Sequence, residues 1–262
     1  MKYSVCMAIF SLLILSCGGG KDNGSQEATE DNSQLVEDLQ GVWLDDNTEM
    51  PILKVKGDSI YLNSKGSVPF SFSVSGDTLV SHGVDRTVYR IKRLSANTFQ
   101  FYTVAGDLVT LHKSDNDALE FSFQEAPKPS DEVIKKDSVF LWGGKRYRGY
   151  VYINPSTRKV IRPGMTEEGL SVDNVYYDNV IHICVYQGRQ KLFSKDISKD
   201  LLANTVPVDF LNSAILSDMD FVGVDDKGYH YRVTVCIPDG MSCYYVDLTA
   251  TSGGDVAYKL RQ

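Results

Sequence analysis

The stretch SVPFSFSVSG, residues 67–76, alternates apolar and small polar side chains. Val68, Phe70, Phe72 and Val74 share one face of an extended chain, and Pro69, Ser71 and Ser73 share the other. That is the period of two expected of a half-buried strand. Working outward, NTFQFYTVAG (97–106) repeats the pattern, with Phe99, Phe101 and Thr103 opposite Thr98, Gln100 and Tyr102. Short runs with turn residues between them fill the rest of this half: GVWLDD (41–46), PILKVKG (51–57), DSIYLNSKG (58–66), DTLVSHG (77–83), RTVYRIKRLS (86–95) and DLVTLHK (107–113). A weak repeat runs through them: KGDSIYL (56–62), SGDTLVS (75–81) and AGDLVTL (105–111). Each Gly-Asp marks a turn that opens a new strand, with Gly supplying positive φ and Asp bonding nearby backbone. About eight short strands between residues 41 and 113 then form an up-and-down meander, and closure into a small barrel removes its exposed edges.

The first residues read differently. Lys2 is followed by an apolar run, Cys6–Ile9, Phe10 and Leu12–Leu15, interrupted by Ser11, and Ser16 precedes Cys17. This is the layout of a secretory signal peptide over residues 1–16, too short an apolar run to span a bilayer core. Ile14-Leu15-Ser16-Cys17 resembles the bacterial lipobox. The resemblance implies cleavage before Cys17, lipidation of Cys17 and a membrane partner reached through that anchor, since two or more acyl chains hold firmly. Residues 17–34 contain GGGKDNGSQEATEDNSQ (18–34), with no large apolar residue, and are expected to be a flexible tether. Gly18 resembles the residue found in lipoproteins passed to the outer membrane, and the acidic drift at Asp22, Glu27, Glu30 and Asp31 resembles export tags on Bacteroidetes surface lipoproteins.

In LVEDLQ (35–40), Leu35, Val36 and Leu39 fall on one face of a helical turn or two. Gly41-Val42-Trp43 after this short helix, followed by the meander, resembles the lipocalin-like barrels over residues 35–124. The resemblance implies that Trp43 packs across the closed end of the barrel. EAPKPSDEVIKKD, residues 125–137, is predicted to be a linker. Residues 138–262 read as a second β domain. KRYRGYVYIN (145–154) and STRKVI (156–161) are expected to pair across Asn154-Pro155, and NVYYDNVIHICVYQG (174–188) with RQKLFSKD (189–196) across Gly188-Arg189. SAILSDMDFVGVDD (213–226), GYHYRVTVCI (228–237), SCYYVDLTATSG (242–253) and DVAYKL (255–260) continue the meander. Between them DISKDLLANTVPVDFLNSA (196–214) carries Ile197, Leu201 and Leu202 on one helical face, with Asp196 as a candidate cap and Pro207 as an interruption. The expected class is all-β: a small lipocalin-like up-and-down barrel, then a β-sandwich-like domain with one short helical crossover. YYDNVIHICVYQGRQKLFSKDISKDLL (176–202), PVDFLNSAILSDMDF (207–221) and GGDVAYKL (253–260) resemble uncharacterised envelope lipoproteins of gut Bacteroidetes over about residues 137–262. Those proteins carry a domain-of-unknown-function label, so the resemblance implies fold and location, not activity.

The chain has 262 residues, a formal charge of −7 and 15 Tyr. Tyr with many Val, Ile and Thr is a β-rich composition. The acidic balance excludes a nucleic-acid footprint and broad adhesion to anionic lipid. Of the five Cys, Cys184, Cys236 and Cys243 remain after the leader and Cys17. Cys236 and Cys243 flank a Pro-Asp-Gly turn and are expected to bridge, with Cys184 as the alternative partner of one of them. No metal or other cofactor is expected. His82, His112, His182 and His230 stand singly in their strands, although His182 and His230 could face one another. No Gly-x-Ser-x-Gly occurs. The carboxylate pairs Asp45-Asp46, Asp115 with Asp117 and Asp225-Asp226 sit in turns, where solvation is the expected state. GGKRYRGYVY (143–152) concentrates Lys145, Arg146 and Arg148 and puts Arg146, Arg148, Tyr150 and Tyr152 on one strand face. Arg beside Tyr suits an anionic or carbohydrate ligand or a protein partner. The competing reading is a solvated face with long side chains lying along the sheet.

These features lead to the expectation of a cell-envelope lipoprotein, outer-membrane-anchored and facing the periplasm or the surface. It would act as a non-catalytic binding or interaction module for a polysaccharide, a small apolar ligand or an envelope protein. The alternatives are an envelope hydrolase with a site assembled across strands and a structural assembly subunit.

Overall fold

The computed structural model describes residues 24–116 and 128–261, and the side chains of residues 32–116 and 128–261. The signal segment, Cys17, Asp117 and the first part of the expected linker lie outside the described residues. A helix, α1 (Gly24–Leu39), leads into β1 (Gly41–Asp45), β2 (Pro51–Lys56), β3 (Ser59–Leu62), β4 (Phe70–Ser75), β5 (Thr78–His82), β6 (Arg86–Ser95), β7 (Thr98–Tyr102) and β8 (Leu108–Lys113). These eight strands form a closed barrel, with β1 returning to β8 through Trp43↔Lys113 and Leu44↔His112. The strand over 70–75 shows the alternation that residues 67–76 foretell: Phe70, Phe72 and Val74 are buried, and Ser71, Ser73 and Ser75 are exposed. The Gly-Asp repeat is the turn device, because Gly57, Gly76 and Gly106 all take positive φ just before β3, β5 and β8.

Trp43 is fully buried under the end of α1. Its Nε1 donates to the Leu39 carbonyl at 2.7 Å, the Phe99 ring meets it edge-on at 5.6 Å, and Lys113 Nζ lies 4.9 Å above it. Lys113 Nζ also donates to the Asp38 carbonyl at 2.6 Å. The barrel thus supplies the donors that the last carbonyls of α1 cannot find within the helix. The helix starts at Gly24, well inside the stretch expected to be a free tether over 17–34. Its apolar face (Leu35, Val36, Leu39) packs on the barrel core, and Asn32 Oδ1 accepts from Gly76 N at 3.2 Å. Those tertiary contacts hold the C-terminal half of the helix on the barrel.

The second body comprises β9 (Ile134–Trp142), β10 (Lys145–Met165), β11 (Ser171–Gln187), β12 (Gln190–Ile197), β13 (Ile215–Asp225), β14 (Gly228–Cys236), β15 (Cys243–Ala250) and β16 (Val256–Leu260). They make two four-stranded antiparallel sheets, ordered β12-β11-β10-β9 and β13-β14-β15-β16. One apolar core joins the sheets, built from Val151, Ile181, Ile183 and Val185 on one side and Met219, Tyr231, Val233 and Leu248 on the other. At Gly149 the sheets leave no room for a side chain: a Cβ there would lie 2.2 Å from the Phe221 ring. The fold is therefore mainly β, a barrel followed by a sandwich.

Three details differ from the expectations. Asn154-Pro155 is no turn: residues 145–165 form one 21-residue strand with a bulge where Pro155↔Asn179 gives way to Lys159↔Tyr177. Proline, lacking an N–H, is accommodated at a bulge as well as at a turn. β9 begins at Ile134, inside the expected linker 125–137. The helical crossover is as expected, a 3₁₀ turn (Lys199–Leu202) and α2 (Val208–Ser213) interrupted by Pro207 at the N-cap position of α2. Asp196 caps neither, because it lies in β12 and bonds His182.

The long β10–β11 hairpin reaches from the sandwich to the barrel. Leu170 and Val172, at its tip, belong to the barrel core. Ser171 N donates to the Tyr89 hydroxyl at 2.7 Å, Val84 N donates to Asp173 Oδ2 at 2.7 Å, and Val175 N donates to the Gly66 carbonyl at 3.1 Å. Leu39 at one end and Leu170 at the other close the interior, leaving a cavity of about 10 Å³. That is below the size of a ligand site.

Candidate functional site

The outer face of the β9–β12 sheet collects the four residues singled out in β10. Alternation along β10 sends Tyr147, Gly149, Val151 and Ile153 to the core and Arg146, Arg148, Tyr150 and Tyr152 outward. Arg148 Nε donates to Asp137 Oδ2 on β9 at 2.7 Å, and its guanidinium lies 4.9 Å over the Tyr150 ring. Tyr150 and Tyr152 stack with centroids 6.2 Å apart and planes 16° from parallel, and Tyr186 of β11 meets Tyr150 edge-on at 5.8 Å. The hydrogen bond to Asp137 raises the affinity of the Arg148 guanidinium for its proton, and burial raises the Tyr152 hydroxyl above the usual tyrosine range. Arg146 is exposed and forms no hydrogen bond or ion pair among the described residues. The structure therefore joins Arg148, Tyr150 and Tyr152 into one stack and leaves Arg146 beside it.

Sequence reasoning did not attach Asp137, His182 and Tyr186 to this face. All three are placed by register: Arg148↔Tyr186, Tyr152↔His182 and Tyr150↔Asp137. The His182 ring lies 6.2 Å from Tyr152. Its Nδ1 pairs with Asp196 Oδ1 at 2.6 Å and its Nε2 with Ser194 Oγ at 3.2 Å. A Ser–His–Asp hydrogen-bonded row thus exists, but Ser194 and Asp196 are exposed neighbours on a flat strand. Hydrolytic chemistry also needs a water-excluding cleft and donors aimed at an oxyanion, which an open sheet face does not provide. Cys184 lies on the same face between Tyr150 and Ser194 in register, and burial raises its thiol above the usual range, the environment of an inert cysteine.

Cys236 and Cys243 oppose each other across the β14–β15 turn and form a disulfide. His182 and His230 do not converge: His230 is on the outer face of the other sheet, with Nε2 on Asp225 at 2.7 Å and Nδ1 on Thr249 at 3.1 Å. His112 lies between Asp46 and Glu49, and Asp45 accepts from the Thr48 and Asn47 amides within its own turn. Among the described residues no group of three His, Cys, Asp or Glu side chains could hold a metal ion. No helix among them is long and apolar enough to cross a membrane.

Residues 114–258 match a family described as a domain of unknown function (DUF4738). The match spans more than half of the chain and takes in the sandwich from β9 into β16, so the chain belongs to this family. No curated protein matches the sequence.

Proposed function

We propose that the protein is a lipid-anchored envelope lipoprotein of the Bacteroidetes type, held through Cys17, whose sandwich domain docks another envelope protein on the outer face of the β9–β12 sheet. The observation that carries the docking reading is the Arg148–Tyr150–Tyr152 stack. Its ring faces are taken up by the guanidinium and by each other, so a saccharide finds few free faces to stack on. The ring edges and hydroxyls remain available outward. Leu141 and Val139, on β9 beside the stack, are 77% and 38% exposed. Pre-ordered Tyr and Arg beside an aliphatic anchor is the composition of protein-binding hot spots, and little side-chain entropy is left to lose on binding. β9 is also an edge strand, the position in a sheet at which a partner can add a strand. The anchor rests on Ile14-Leu15-Ser16-Cys17.

Two measurements in the producing cell test this. Cys17→Ala should move the chain from the membrane fraction to the soluble fraction and remove acyl labelling; an unchanged membrane fraction would sink the anchor. A photo-crosslinking residue at position 141 should trap one discrete protein adduct, reduced about tenfold by Arg148→Ala with Tyr150→Ala. The same probe at exposed Arg93 on the barrel should give none. Equal adducts at both positions, or indifference to the double substitution, would reject the docking face.

A further inference from the structure

The other outer face of the sandwich carries a different chemistry. Across β13–β16 the register sets Asp220↔Arg232, Arg232↔Asp247 and Asp247↔Lys259, an alternating row of charge. In such a row Arg232 should have a carboxylate on each side. It has neither: among the described residues Arg232 makes no hydrogen bond or ion pair, and its Nε is buried without a partner. Asp220 is drawn away to Lys136 at 2.9 Å, and Asp247 meets Arg261 Nη1 only at 3.9 Å. Lys259 is exposed and likewise without a partner among the described residues.

Arg232 sits in an open groove of about 650 Å³ whose lining carries four cations (Lys227, Arg232, Lys259, Arg261) against two carboxylates, Asp225 and Asp247. Asp225 is already engaged by His230. A local excess of positive charge in a chain of net −7 is an unusual concentration. A buried donor left unsatisfied is costly, and a planar guanidinium is the side chain best matched to a two-oxygen anion.

We infer that this groove binds an acidic polysaccharide, with a sulfate or carboxylate group of the polymer seated on Arg232. Across the groove Asp247 lies in register between Arg232 and Lys259, and Thr249 stands two residues further along β15. Cations set apart by a carboxylate and flanked by a hydroxyl fit a chain whose anionic groups are separated by hydroxyls. A continuous anionic surface such as a bilayer would be pressed against the Asp225 and Asp247 carboxylates. The site is on the opposite sheet from the docking face, and neither reading needs the other.

The test is binding of the full chain to dextran sulfate and to polygalacturonate, with neutral dextran, inorganic phosphate and anionic vesicles as comparison arms. The expected result is saturable binding to one or both acidic polymers, weakening as salt rises, and none to neutral dextran. Arg232→Gln should weaken it about tenfold, the loss of a charge-assisted hydrogen bond, and Lys259→Gln, at an exposed position, should weaken it by a smaller factor. Arg148→Ala with Tyr150→Ala should leave it unchanged. Binding to vesicles or phosphate alone, equal binding to neutral dextran, or indifference to both groove substitutions would overturn the inference.

Discussion

Lys199 is a buried charge of the sandwich, held on two sides. Its side chain is 4% exposed, its Nζ donates to the Ala214 carbonyl at 2.6 Å, and Asp178 Oδ2 lies 3.5 Å away. Asp178 is as deeply buried, and its other oxygen accepts from Leu216 N at 2.8 Å and Asn179 N at 3.0 Å. The pair therefore pins the 3₁₀ turn, β11 and the start of β13 together. Burial lowers the Lys199 pKa from the ordinary lysine value, outweighing the opposing pull of Asp178. Between the lowered value and about 10.4, the folded chain has lost a proton that the unfolded chain still holds, so this group makes stability rise with pH. Lys199→Met should abolish that rise, seen by comparing denaturant midpoints of the two proteins as pH increases. At neutral pH the substitution should cost about 3–5 kcal/mol, because it strands a buried carboxylate. Lys199→Met with Asp178→Asn, which keeps the oxygen that accepts the two backbone amides, should recover most of the loss. A double variant no better than the single one would show that the ion pair is not the source of the cost.

At the scale of strands and helices, legibility followed whether an element carries its own periodicity. Residues 67–76 and 97–106 show a period of two and became β4 and β7 as read. The outward face of β10 was legible for the same reason, since alternation is local. Its neighbours were not, because the row from Asp137 to Asp196 depends on register, which belongs to pairs of strands. Asn154-Pro155 is a turn signal by composition, yet β11 runs past it, and Ser156 Oγ donates to the Asp178 carbonyl at 2.7 Å to hold the bulge. β9 was hidden because its first residues, Ile134-Lys135-Lys136-Asp137, look like linker. The partners that fix Lys136, Asp218 and Asp220, come from β13, far along the chain. The Arg232 vacancy was illegible in principle: an Arg between two Asp in register should be paired, and only the competing claim of Lys136 on Asp220 shows otherwise.

Over the whole molecule, the barrel and sandwich are separate cores, but the barrel does not finish its own. Strand pairing closes its wall from β1 to β8, and α1 covers one end, while the opposite end is completed by Leu170 and Val172 from the β10–β11 hairpin. Among the described residues the sandwich core takes nothing comparable from the barrel, its residues all falling between Phe140 and Leu260. The dependence should therefore run one way. Leu170 is 5% exposed, and Leu170→Ala removes apolar volume from the barrel alone. The expected cost is about 2–5 kcal/mol, borne by opening of the barrel and not of the sandwich. The two tryptophans fall one to each body, Trp43 buried in the barrel and Trp142 42% exposed on β9. In a Trp142→Phe background, Trp43 emission reports the barrel, and Leu170→Ala should move its thermal transition down by several degrees. Hydrogen exchange should accelerate at the buried amides of β4 and β7 and stay unchanged in β14 and β15. Equal acceleration in both bodies would mean that they unfold as one unit, and no acceleration in either would mean that the hairpin tip rests on the barrel without supporting it.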